Sequence, residues 1–282
     1  MGGVLIVQVT QNYGFVQYKG LGKGVFHKAD YIFTEDLDHS FCKITGFPCR
    51  VLWFAHLGLA FFIHQQPAVH VVECCTFRPS AEHVLDAGLY KEALKELEFK
   101  VPKMHIQVTT EAVGKYSPED MRKLAYDVIP PGTSIGIAEM IPSRNPTDDD
   151  VKLYKYLTEA GTKIQHLLYN PNDIDLLVNL LNKAKINVEG AWCLFVIGHY
   201  SGKISYPDNI PMFLEKMREN NINLDWAICA FAREEISCLE KAINLGGKIR
   251  VGFENSLYMP NGEIAPNNHS KIKAVNEIFN LA

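Results

Sequence analysis

Over the last two-thirds of the chain, hydrophobic and polar positions change period in a regular way. β-branched and aromatic runs with the two-residue period of a strand alternate with runs whose apolar residues lie three and four apart, the helical period. The pattern predicts strands at 104–110, 133–138, 163–169, 191–198, 224–230 and 248–254, with starts 24 to 33 residues apart. Such an interval holds a strand, a loop, a helix and a return loop, so successive strands run parallel. Helix starts carry their own signals. Ser117 precedes Pro118 and two acids, and Thr147 precedes three aspartates that face the positive end of a helix at 151–160. Gly161 and the Gly246–Gly247 pair stand where helices should stop.

Six βα units do not close a barrel and eight do. The first hundred residues supply two more strands, at 4–10 and 69–75, and a helix at 89–99. The expectation is therefore one (β/α)8 TIM-barrel domain over residues 1–282. Residues 11–68 interrupt it: they are rich in glycine, aromatics and histidine, and they show neither period.

Composition narrows the class. With 47% hydrophobic and 21% charged residues the chain can bury a large core. A net charge of −4 argues against nucleic acid as a partner. The most apolar run, 51–63, is shorter than a membrane span and contains His56, so no membrane association is expected. Seven cysteines, an odd number without a basic leader, read as reduced thiols in a cytoplasmic protein.

In a barrel the chemistry sits at the C-terminal ends of the strands. Alternation along 248–254 turns Val251 and Phe253 towards the helices and Arg250, Gly252 and Glu254 towards the axis. A buried arginine and glutamate on one face are costly unless they hold a metal or an anion, or form a structural ion pair; both readings stay open. In 106–111, Ile106 and Val108 point outwards while Gln107, Thr109 and Glu111 point inwards. Glu139 follows the 133–138 strand just before Pro142 and suits a base or an orienting group as well as a solvated loop acid. His166 and His199 read as satisfied histidines, and Cys193 and Cys229 as core. Phosphate loops, dinucleotide fingerprints and zinc-protease motifs are absent from the sequence, and Cys74–Cys75 lacks zinc-site spacing.

Four blocks are more specific: IQVTTEAVGKYS (106–117), LFVIGHYS (194–201), CAFAREE (229–235) and GGKIRVGFEN (246–255). In this order they resemble the β-keto acid cleavage enzymes, the family that includes 3-keto-5-aminohexanoate cleavage enzyme, from about Val84 to the C-terminus. The resemblance implies a (β/α)8 barrel with one divalent metal, usually zinc. The implied reaction takes a β-keto acid and acetyl-CoA to acetoacetate and a new acyl-CoA by a retro-Claisen step.

The resemblance also implies roles. Glu254 matches the metal-binding carboxylate and Arg250 an arginine of the catalytic network. Asn255 stands where many members pair an aspartate with that arginine. Thr109, with Thr110 beside it, and Ser134 match hydroxyls that contact substrate. Gln165 stands where some members have a glutamate, which leaves Glu139 as the candidate base. The family's His-x-His metal pair is missing; ungapped counting puts Glu73 and Cys75 at its positions. The family's opening motifs are missing too, and the likeness begins abruptly. Divergence or a frameshifted translation up to about Arg78 would each produce that, and the abruptness favours the second.

A homodimer or homotetramer is the assembly the resemblance implies. Two alternatives stand beside the acyl-transfer reading. One is an inactive member that only binds ligand, motivated by Asn255 and the missing histidines. The other is a metal-dependent aldolase.

Overall fold

In the computed structural model, the described residues are 5–6, 71–74, 83–100, 102, 105–198, 204–253 and 255–280. Expectations for 11–68, His199, Cys75 and Glu254 lie outside them. Of Glu73 only the backbone is described.

The chain order is β1 (Leu5–Ile6), β2 (Val71–Cys74), α1 (Ala87–Lys100), β3 (His105–Thr109), α2 (Pro118–Val128) and β4 (Gly132–Gly136). Then come α3 (Ile137–Met140), α4 (Asp148–Glu159), β5 (Lys163–Leu168), α5 (Asp173–Ala184) and β6 (Trp192–Ile197). The last part holds α6 (Ile210–Glu219), β7 (Asp225–Ala230), α7 (Glu235–Asn244), β8 (Lys248–Arg250) and α8 (Asn268–Phe279). Every strand pair is parallel, in the order β1-β8-β7-β6-β5-β4-β3-β2. Strands β3–β8 form a curled half-barrel, which β2 extends at one edge and β1 at the other. No pairing of β1 with β2 occurs among the described residues.

Alternation divides the side chains between two faces. Ile106, Val108, Leu168, Cys193, Phe195, Ile228 and Ile249 join Leu153, Leu177, Phe213 and Leu239 of the helices in one core. Each such buried side chain contributes about 2 kcal/mol. Phe195 is sandwiched there between Phe213 and Trp226, with centroids at 4.5 and 5.4 Å. Leu167, Leu194, Val196, Ala227, Cys229 and Phe231 form a separate cluster on the inner face.

The helix ends are as the sequence predicts. Ser117 and Thr147 each accept from the backbone N–H three residues on, and Asp120 and Asp150 return the bond. Asp150 is buried and also binds Arg122 at 2.8 Å, so this cap ties α4 to α2. Gly246 ends α7 at φ +84°, a conformation that penalises any side chain. Gly247 answers a different need: a Cβ there would lie 2.1 Å from the Trp226 ring.

Two expectations need correction. The strand predicted at 133–138 stops at Gly136, and Glu139 lies on the one-turn helix α3. The strand predicted to reach Glu254 stops at Arg250. Beyond it the backbone turns, with the N–H groups of Asn255 and Ser256 both donating to Gly252 O at 3.0 and 3.1 Å. The alternation expected for Phe253 therefore does not continue. Its N–H is given to Asn268 of α8 rather than to a neighbouring strand.

Candidate active site

The predicted polar residues lie along β3, β4, β5 and β8 and in the segments that follow β3, β4 and β8. Thr109 is in register with Ser134, and Ser134 with Gln165, so the three cross the sheet in a row. All three are buried. Gln107 Nε2 donates to Gln165 Oε1 at 3.1 Å across the inner face, as the inward alternation of Gln107 and Thr109 requires. Gln165 Nε2 has no hydrogen-bond partner, although the side chain is fully buried. An orphan donor of this kind costs about 1–3 kcal/mol unless something completes it.

Thr109 Oγ1 accepts from the N–H of Glu111 at 3.1 Å and caps the end of its strand. Thr110 Oγ1 donates to Ser134 O at 3.0 Å. That bond ties the β3 exit to β4 and leaves the oxygen's lone pairs to accept from another group. Glu139 accepts from Ala112 N–H at 3.2 Å. Burial raises its carboxyl pKa and this bond only partly offsets the rise. A half-buried acid with a raised pKa just beyond the end of β4 has the properties of a proton carrier.

Arg250 is buried, and its Nη2 donates to Cys229 Sγ at 3.3 Å. Cys229 belongs to the inner cluster, so the guanidinium faces inwards as the alternation predicts. Asn255 is buried as well, yet neither its Oδ1 nor its Nδ2 has a partner. The arginine–acid pairing typical of the resembling family is therefore not reproduced by Asn255 here. Replacing a carboxylate by an amide removes the charge that would draw the guanidinium.

His166 lies on the other face. It stacks on Tyr154 of α4, with centroids 5.8 Å apart, and its Nδ1 is 2.9 Å from Trp192 O. Burial lowers its pKa to about 4, so it is a neutral core histidine. Among the described residues no three His, Cys, Asp or Glu side chains are grouped to hold a metal. The predicted ligands Cys75 and Glu254 lie outside those residues, and Glu73 is placed only by its backbone, in register with Gln107.

Sequence reasoning missed the groups behind this region. Glu235, at the start of α7, and Lys271, on α8, form a fully buried ion pair at 2.7 Å. Burial pushes the carboxyl up and the ammonium down, and each charge opposes the shift of the other. Lys271 Nζ also donates to Ser256 O, and Ser256 Oγ to Ala232 O at 2.8 Å. Ala232 holds φ +59° and gives its N–H to Asn255 O at 2.9 Å. A left-handed alanine costs about 1 kcal/mol and persists only where neighbours over-determine it. Glu235 falls inside a recognised block, but nothing local distinguishes Lys271 from a surface lysine.

The family model described as beta-keto acid cleavage enzyme matches residues 72–282. A 3-keto-5-aminohexanoate cleavage enzyme from Acetoanaerobium sticklandii is 24% identical over 125 residues, 44% of each chain. The chain thus spans less than half the length of that curated relative. The solved ternary complex of ObcA with C4-CoA adduct and oxalate superposes with a TM-score of 0.54 at 14% identity, covering 75% of this chain and 63% of that one. At that identity the superposition shows a shared fold and no more.

Proposed function

Because the chain belongs to the beta-keto acid cleavage enzyme family, we propose that it transfers an acyl group from a β-keto acid to acetyl-CoA, giving acetoacetate and a new acyl-CoA. The observation that carries this reading is the donor-rich inner face. Thr109, Ser134 and the orphan Nε2 of Gln165 are buried on three neighbouring strands, and Arg250 is buried at the end of β8, two strands beyond Gln165's neighbour β6 in the same sheet. Charged and neutral donors on the inner face of one sheet suit an anionic keto acid and the negative charge that develops as its C–C bond breaks.

Each residue has a part in this reading. The Arg250 fork binds the substrate carboxylate, for which its planar geometry is matched. The hydroxyls of Thr109, Thr110 and Ser134 orient the substrate oxygens. Glu139 takes and returns the proton, because its raised pKa lets it exchange protons nearer neutral pH than an exposed glutamate. Asn255 offers its unpartnered amide to the reacting oxygen as a neutral donor.

Glu73, Cys75 and Glu254 are the proposed zinc ligands, since two carboxylates and a thiolate form a donor set that zinc accepts. Bound there, the ion would polarise the keto oxygen as a Lewis acid. Closure of the sheet into a complete (β/α)8 barrel, a homo-oligomeric assembly and a cytoplasmic location belong to the same proposal.

The test is a coupled assay for acetoacetate from acetyl-CoA and a panel of β-keto acids, with zinc-loaded and chelator-treated protein. Turnover that chelation removes and zinc restores is expected. A folded, zinc-loaded sample that turns over none of the acids ends the proposal and leaves a ligand-binding family member.

A further inference from the structure

The turn after β8 carries Asn255, yet the strand ladder that would fix it has already ended at Arg250. Support comes from α8 instead. Asn268 Oδ1, in the first turn of α8, accepts from Phe253 N–H at 3.0 Å. One turn on, Lys271 Nζ donates to Ser256 O and lies 2.7 Å from Glu235 Oε2. Two anchors therefore hold the turn, one at Phe253 and one at Ser256, on either side of Asn255. A third tie, through Ala232 N–H and O, joins Asn255 and Ser256 to the exit of β7.

Stability does not explain the ion pair. Lys271 is 0% and Glu235 1% exposed. Taking both charges out of water offsets most of their attraction, and apolar side chains of similar size commonly match or exceed such a pair. What an apolar pair cannot supply is a hydrogen bond to a main-chain carbonyl. Ser256 O receives one from Lys271, and Glu235 holds the ammonium charged and aimed at it.

We propose that Asn268 and Lys271, with Glu235 as the counter-ion, are positioning residues that fix Phe253, Asn255 and Ser256 so that Asn255 meets the substrate. The inference rests on the acyl-transfer reading for its catalytic consequence. Its structural consequence, a rigid turn, stands apart from that reading.

The experiment compares four forms of the full chain: wild type, Asn268→Ala, Asn268→Asp and the double variant Glu235→Met, Lys271→Met. Asn268→Asp keeps an oxygen acceptor for Phe253 N–H, so it should retain wild-type kcat and turn protection. Asn268→Ala should lower kcat about tenfold with KM little changed. The double variant should melt at or above the wild-type temperature yet lose tenfold or more in kcat. In both of these variants the amides of Phe253, Asn255 and Ser256 should exchange hydrogen at least tenfold faster.

Wild-type kcat in the double variant or in Asn268→Ala, or an equal loss in Asn268→Asp and Asn268→Ala, overturns the positioning role. If the wild type turns over no keto acid, the acyl-transfer reading fails by itself. Amide exchange then decides the clamp: unchanged protection of the turn in the double variant refutes it.

Discussion

Arg250 and Cys229 stand side by side on β8 and β7, and the guanidinium donates to the thiol sulfur at 3.3 Å on the inner face of the sheet. Sulfur is a weak acceptor, so this contact orients the fork more than it stabilises its charge. In the proposed reaction this guanidinium meets the substrate carboxylate. Arg250→Lys keeps the charge but replaces a planar fork with a point charge. Turnover should fall about a hundredfold in the acetoacetate assay, whereas Cys229→Ser, which retains an acceptor, should lose less than about tenfold. Equal activity in Arg250→Lys and wild type would remove Arg250 from the mechanism.

Asn255 offers a contrast between stability and activity. Its amide is buried and makes no hydrogen bond, so truncation removes no partner. Asn255→Ala should therefore change unfolding free energy by less than about 1 kcal/mol, measured in urea, while lowering turnover. Asn255→Asp should raise turnover and add an acidic limb to the pH–rate profile, because a carboxylate can hold the proton that an amide cannot. A loss of several kcal/mol in Asn255→Ala would show that the amide has a structural partner after all.

The two adjacent glycines after α7 should respond differently to alanine. At Gly247 the new methyl meets the Trp226 ring at 2.1 Å, inside the stack with Phe195. Overpacking of that kind costs about 1–3 kcal/mol or more. At Gly246 nothing lies near the added carbon, so only the strain of φ +84° remains, about 1 kcal/mol. Urea titrations of both variants should rank Gly247→Ala as the more damaging.

His166 makes the fold sensitive to acid. Its folded pKa, about 4, lies below the ordinary 6.5 because burial disfavours the imidazolium. Between these values the unfolded chain binds the extra proton and the native chain does not. The stability contribution is complete above pH 6.5 and is lost as the pH falls towards 4, at up to about 1 kcal/mol per pH unit. His83, also lowered to about 4 by burial, adds in the same direction. His166→Phe should flatten the fall in unfolding free energy between pH 6.5 and 4, and an unchanged slope would show that other groups cause it.

Much of the framework could be read from local chemistry. The capping boxes at Ser117 and Thr147 need only residues within one helical turn, and both are present. The inward set of β3 and the inward Arg250 follow from a two-residue period, and the Gln107–Gln165 and Arg250–Cys229 bonds obey it. The end of β8 was not legible. Arg250 to Glu254 continues the apolar alternation, but a strand persists only while a neighbour supplies its hydrogen bonds, and here Phe253 N–H is claimed by Asn268. Glu139 was misplaced for a similar reason: Ile137 and Ala138 extend the apolar run of β4, but Ile141 N–H closes a helical turn onto Ile137 O.

By itself the sequence determined the family, the parallel βα order, the helix caps and which side of each strand faces inwards. These follow from spacing, period and residue chemistry over short stretches. Tertiary structure alone decided where β8 stops, that Asn255 is left without a partner, and that Lys271 is buried against Glu235. Those outcomes depend on contacts between residues 15 to 36 positions apart in the chain, and no local pattern encodes which distant group will reach a given backbone atom first.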